Sequence, residues 1–197
     1  SETVVDVACG TGDLSLEFLK VDLDLTQTVI GIDLTFEMLP HARAKLSPRY
    51  LQDEICWVNG DAQSLPLPDQ SANVVSIAFG IRNVQDPALA IREFHRVLKP
   101  GGRLIILEFS LPTNPVLRGL YNFYFRKILP RTATLISGDK TGAYKYLPES
   151  VNTFIGRSEM SRMMSDAGFT QVEQFPMTFG VCICYRGLVR SPSIGSF

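Results

Sequence analysis

Cysteine is scarce in this chain, and its spacing serves no metal. The four present, Cys9, Cys56, Cys182 and Cys184, form no CxxC pair and have no histidine at ligand spacing. That argues against a zinc site, leaves no metal to expect, and suits reduced thiols in a cytoplasmic protein. Cys182 and Cys184 alternate in an apolar strand and so share a face, where buried packing is the expectation. Histidine is rarer still: His41 and His95 each fall on a predicted helix away from any strand end, and both read as surface or packing residues rather than a general base. Charge of one sign is also lacking. With 19 Lys and Arg against 20 Asp and Glu, nothing would hold a nucleic acid by bulk charge. No apolar run reaches about 18 residues, so no spanning helix is expected, and no signal peptide is present.

What the chain does contain begins at once. The stretch VVDVACGTGDL, Val4 to Leu14, reads as a strand carrying one acid, Asp6, that runs into the turn Gly10-Thr11-Gly12 and opens a helix at Asp13. Glycines at alternate positions let bare backbone approach a ligand, and the helix start offers unpaired N–H groups. A dinucleotide fingerprint would place a third glycine three residues on, but Ser15 stands there, which weakens a nicotinamide or flavin reading. A second strand, Thr28 to Asp33, ends in an acid roughly 20 residues past the turn, where a ribose diol needs an acceptor. A third, Ile55 to Ala62, ends in Gly60-Asp61-Ala62; Asp61 is either a ligand residue or a turn residue after Gly60.

The remaining pattern alternates strand and helix. A helix from Phe36 to Leu46, capped by Thr35, should kink or shorten at Pro40. Val74 to Gly80 is a buried fourth strand, Asp86-Pro87 opens a helix to Leu98, Lys99-Pro100-Gly101-Gly102 stops it, and Arg103 to Phe109 is the fifth strand. A helix from Ser158, its expected cap, to Gly168 precedes two late strands, 170–177 and 179–187, joined too tightly for a crossover and hence antiparallel. The expected fold class is α/β: a seven-stranded, Rossmann-like sheet of five parallel strands and a C-terminal antiparallel hairpin.

The acid two residues before Ala8-Cys9-Gly10 resembles motif I of class I S-adenosylmethionine (AdoMet) methyltransferases. Together IAFGIRNV (77–84), RVLKPGGRLIILEFS (96–110) and GDKTGAYKYLPESV (138–151) resemble the ubiquinone/menaquinone biosynthesis C-methyltransferase family from Val4 to about Gly187. That resemblance implies AdoMet as co-substrate. Gly10, Thr11 and Gly12 would meet its methionine end, Asp33 its ribose and Asp61 with Ala62 its adenine. Asp6 would orient the ammonium group through water or backbone. Relatives often carry serine where this chain has Ala78, so Ala78 is kept only as a backbone contact. The acceptor implied is a polyprenyl quinol, demethylmenaquinol before a ubiquinone precursor; Gly80-Ile81-Arg82-Asn83 stands where amino-group methyltransferases carry Asn/Asp-Pro-Pro-aromatic. Arg82 and Asn83 are the catalytic candidates, Arg82 as an electrostatic stabiliser and Asn83 aligning the ring hydroxyl, with a capping or salt-bridging pair as the plain alternative. Asp139, Tyr144 and Tyr146 are weaker candidates for the acceptor pocket. Rival functions are methylation of another lipophilic phenol or sterol, and a silent AdoMet-binding scaffold of a quinone-synthesis assembly.

The expected domain spans 1–187 and lacks the N-terminal helices and tyrosine-rich signature of this family; 188–197 is a tail. The helix PVLRGLYNFYFRKILPR, 115–131, sets Leu117, Leu120, Tyr121, Tyr124 and Ile128 on one stripe and Arg118, Asn122 and Arg126 on another. It suits a lid or an interfacial helix at the inner face of a membrane, against core packing or a homodimer contact.

Overall fold

In the computed structural model, residues 2–21, 27–46, 54–112, 114–123 and 155–191 are described. The strands β1 (Glu2–Val7), β2 (Gln27–Asp33), β3 (Ile55–Asn59), β4 (Ala72–Ala78), β5 (Leu98–Phe109), β6 (Thr170–Met177) and β7 (Cys182–Leu188) form one sheet. Its order is β3-β2-β1-β4-β5-β7-β6. Strands β1 to β5 pair in parallel, and β7 runs against both β5 and β6. The strand order reverses between β1 and β4, and in open α/β sheets ligands gather outside the carboxyl ends of the strands at such a point.

Alternation along β1 divides its side chains between two cores. Val5 and Val7 join a cluster with Phe94 of α3 (Pro87–Val97). Val4 packs on the opposite face with Leu16 and Leu19 of α1 (Asp13–Val21). Asp6 shares the face of Val4 and is therefore carried into α1, where Ser15 meets it. The position that lacks a third glycine thus supplies the partner of the strand acid.

Several boundaries differ from expectation. Helix α2 (Met38–Ala44) starts later, with Glu37 as its N-cap and no side-chain cap, so Thr35 is not the cap and Pro40 lies in the first turn, where its missing N–H has no helical partner. Asp86 caps α3 as expected, accepting from the Leu89 N–H at 2.9 Å. That helix ends at Val97 because Leu98 is already extended and paired with Ala72; regular pairing resumes at Arg103 opposite Val74, so β5 takes in the Lys-Pro-Gly-Gly segment. The helix α4 (Pro115–Phe123) occupies the start of the predicted 115–131 helix, and its continuation, with Tyr124, Arg126 and Ile128, lies outside the described residues, as do Asp139, Tyr144 and Tyr146.

Helix α5 (Arg157–Asp166) is capped by Gly156 rather than Ser158. It closes through Gly168, whose N–H reaches the Ser165 carbonyl while the Phe169 N–H reaches that of Met164. Cys182 and Cys184 do share a face, but it is the half-buried one; Ile183 and Tyr185 face the core. His95 packs edge-on against Phe169, and His41 is exposed. No helix among the described residues is long and apolar enough to cross a membrane.

Candidate functional site

A cleft of about 440 Å³ opens at the carboxyl ends of β1, β2, β3 and β4. That volume falls within the range of small-molecule sites. Gly10, Asp33, Asp61, Ala62, Ala78 and Asn83 all line it. The separate sequence signals on β1, β2, β3 and β4 therefore converge on one space. Asp6, Thr11, Gly12 and Arg82 do not line it.

The glycine turn and the second-strand acid are bonded directly. The Gly10 N–H donates to Asp33 Oδ2 at 2.7 Å, and the Thr35 N–H donates to Oδ1 at 2.8 Å. Each carboxylate oxygen keeps a lone pair after accepting one backbone donor. Asn59 holds the loop behind, its amide donating to the Asp33 and Leu34 carbonyls. Asp61 is braced in its turn by the Gln63 N–H at 2.9 Å, and the Gln63 side chain in turn accepts from the Asp86 N–H.

The two glycines of the turn do different things. A Cβ on Gly10 would meet nothing within 4 Å, whereas one on Gly12 would lie 2.4 Å from the Trp57 ring. Trp57 crosses Gly31 from β3 and fills the space under the turn, so Gly12, at φ +77°, is required by packing as well as by conformation. Beyond the turn, Thr11 Oγ1 and the Asp13 carboxylate are both held by Lys45.

Asp6 lies buried behind the cleft, accepting from the Ser15 hydroxyl at 2.5 Å. Burial raises its pKa to about 6, against the lowering effect of the Ser15 bonds. Cys9, buried nearby, is pushed to about 12 by burial and by the charges of Asp6 and Asp33, so it remains a thiol.

At the β4 exit the backbone is unusual. Ala8 and Phe79 both hold positive φ, +54° and +55°, at the ends of neighbouring strands. Gly80 allows those exits to touch, since a Cβ there would sit 2.5 Å from that of Ala8. Non-glycine residues in this region cost stability and concentrate at ligand sites. Phe79 lines the cleft and packs on Phe109, with centroids 4.6 Å apart.

Arg82, on the 3₁₀ turn Ile81–Asn83, also lies against Phe109, its guanidinium carbon 5.3 Å from the ring centroid. It is ion-paired: Nη1 meets Glu108 Oε1 at 2.5 Å, with side chains 12% and 2% exposed. Glu108 was not among the sequence candidates. Its signal was a single acid inside the apolar run RLIILEF. Gln63, Asn59 and the left-handed Ala8 and Phe79 were missed too, and for Ala8 and Phe79 no local signal exists, because neither residue type calls for positive φ. Among the described residues there is no group of three or more metal-ligating side chains.

Residues 1–189 match the family model described as the ubiE/COQ5 methyltransferase family. The chain belongs to that family. It is accordingly a methyltransferase, and membership implies AdoMet as the methyl donor. Family relatives include the ubiquinone/menaquinone biosynthesis C-methyltransferase UbiE of Syntrophotalea carbinolica, 44% identical over 189 residues, covering 96% of this chain and 77% of the relative. The protein of the same name from Shewanella frigidimarina is 41% identical over 184 residues, covering 93% and 72%.

Solved structures with the family's fold include a SAM-dependent methyltransferase from Aquifex aeolicus, with TM-score 0.66 at 21% identity, covering 95% of this chain and 82% of that one. The [4+2]-cyclase SpnF superposes equally well, with TM-score 0.68 at 18% identity and coverage of 98% and 76%. At such identities the likeness speaks for fold alone; a cyclase and a methyltransferase share this sheet.

Proposed function

We propose that this family member transfers a methyl group from AdoMet to a ring carbon of a polyprenyl quinol in quinone biosynthesis, demethylmenaquinol to menaquinol, with a ubiquinone precursor as the second acceptor. The observation that carries the reading is the bond from the Gly10 N–H to Asp33 at the cleft mouth. It sets the glycine turn and a half-satisfied carboxylate side by side, as a nucleoside with a charged tail requires.

AdoMet fits the residues present: open space stands before Gly10, and polar groups converge at Asp33 and Asp61 in a cleft of sufficient volume. In this reading Asp33 accepts the ribose hydroxyls on its remaining lone pairs, and Asp61 with Ala62 holds the adenine. Gly10 and Thr11 face the methionine end, Gly12 shapes the turn over Trp57, and Ala78 contributes backbone. Asp6 acts from behind the turn, through backbone or water, on the ammonium group.

When bound, AdoMet supplies an activated methyl on a sulfonium with a good leaving group, so the protein's work is alignment and electrostatics. Ionisation of one quinol hydroxyl makes the adjacent ring carbon nucleophilic. That carbon takes the methyl while the sulfur keeps the bonding electron pair; the carbon's proton then passes to water as the ring regains aromaticity and the oxygen regains a proton, so one proton is released overall. Asn83, at the cleft, orients the hydroxyl, and Arg82 stabilises the charge that develops on its oxygen.

The exposed Val116, Arg118 and Phe123 of α4 support contact of this element with a lipid surface, at the inner face of the membrane. Co-sedimentation with anionic liposomes at low salt is the expected result, and failure to sediment removes the membrane contact alone.

The deciding assay incubates the protein with labelled AdoMet and a short-chain demethylmenaquinol. Labelled menaquinol supports the reading. Labelling only of other phenols, or AdoMet binding without any product, overturns it. Asp33→Asn should weaken AdoMet binding about 10- to 100-fold, a loss on the scale of charge-assisted hydrogen bonds.

A further inference from the structure

Glu108 is the buried carboxylate for which nothing above supplies a role. Its Oε1 accepts from Arg82 Nη1 at 2.5 Å and from the Phe109 N–H at 2.8 Å, and the Arg82 backbone N–H approaches Oε2 at 3.4 Å. It therefore grips Arg82 by one nitrogen and by its backbone. The other edge of the guanidinium is left over. Among the described residues Arg82 Nε is buried with no hydrogen-bond partner, and the one side-chain bond shown for Arg82 is from Nη1.

In a guanidinium, Nε–H and the outward N–H of Nη2 lie parallel, forming the fork that receives oxyanions. A buried N–H without an acceptor destabilises the fold, which makes it a place to look for a missing ligand atom. The Phe109 ring beside the guanidinium packs on Phe79, which lines the cleft, so the guanidinium lies one ring beyond the donor site.

We propose that Glu108 is a positioning residue for methyl transfer: it holds Arg82 by one edge and balances its charge, so that the free edge receives the acceptor's ionising oxygen. The inference rests on the reading that Arg82 serves the quinol. A buried cation without a partner would pull the quinol into its ionised form on binding and stabilise ground and transition states alike. The neutral pair donates hydrogen bonds whose value grows as negative charge develops on the oxygen, which is where rate is gained.

The groups facing Glu108 do not compete for this role. Cys182 and Tyr185 approach it from β7; burial raises both, Tyr185 to about 12, so they stay neutral. Arg157 of α5 commits Nε and Nη2 to Ser110, Leu111 and Gly180.

Glu108→Gln removes the charge and keeps the shape. The folded variant should bind AdoMet within twofold of the parent and turn over at least tenfold more slowly. The acid limb of its kcat against pH profile should move down by about one unit, because an uncompensated cation now lies beside the acceptor oxygen. In an Arg82→Ala background the same substitution should add nothing.

Arg82→Ala with undiminished turnover sinks the parent reading. Slow Arg82→Ala beside a Glu108→Gln whose kcat and pH profile match the parent sinks this inference alone, as does a profile shift that persists without Arg82. The unaltered protein gives a second readout that needs no variant to fold. With S-adenosylhomocysteine present, 1-naphthol should shift the Arg82 Nε–H resonance in a ¹⁵N spectrum, whereas naphthalene should not. No shift with 1-naphthol overturns the proposal.

Discussion

Asp33 and Glu108 are both buried carboxylates at the carboxyl ends of strands in one sheet, yet they are satisfied in opposite ways. Asp33 is held by backbone donors from the turn after β1 and the loop after β2, and among the described residues no ion pair to it is found. Glu108 is held by a cation. The first arrangement leaves a fixed, cation-free acceptor; the second is a charge-balanced pair. In the proposed reaction the first would hold a nucleoside, and the second would respond to charge that appears only during reaction.

Breaking the charged half should cost most. Glu108→Ala leaves Arg82 buried beside no anion, and we expect a loss of about 3–5 kcal/mol in urea unfolding. The glycine turn comes next. Gly12→Ala drives a methyl into Trp57 at a left-handed position, for about 2–4 kcal/mol. Gly10→Ala meets no neighbour and should cost only about 1 kcal/mol while impairing AdoMet binding, since the added methyl enters the cleft. Unfolding and calorimetry on the pair separate packing from ligand approach.

Asp6 sharpens the comparison through pH. Its folded pKa of about 6 exceeds the ordinary 3.8, so the folded protein binds the proton more tightly than the unfolded chain does. Stability from this group is therefore full below pH 3.8, declines as pH rises, and is lost above about 6, a change on the order of 3 kcal/mol. Urea unfolding at pH 5 and 7.5 should show that slope, and Asp6→Asn should abolish its Asp6 component. The smallest effect is expected at the surface. Lys45 holds the Asp13 carboxyl below the usual range, but the pair is exposed, and Lys45→Ala should change stability by no more than about 0.5 kcal/mol.

Local pattern carried much of this molecule. The Val4–Leu14 stretch, the acids closing β2 and following β3, and the Asp86-Pro87 cap each rest on spacing within a few residues, and the structure places them as the pattern implies. Helix starts fared less well where two caps competed: Thr35 and Ser158 have suitable side chains, but the chain entered α2 and α5 elsewhere. Arg82 was legible as a residue at a strand exit, with salt-bridging as its plain alternative, whereas its partner was not, because Glu108 lies 26 residues away and parallel pairing of β4 with β5 brings them together.

The amino-acid sequence by itself thus determined the strand–helix alternation, the glycine turn and the family to which the chain belongs, since these follow from periodicity and from motifs read in one pass. Tertiary structure alone decided that Gly12 answers to Trp57, that Ser15 answers to Asp6 and that Arg82 answers to Glu108. Such pairings are fixed by which strands lie side by side and how deeply they bury a charge, and neither quantity is written in any local stretch.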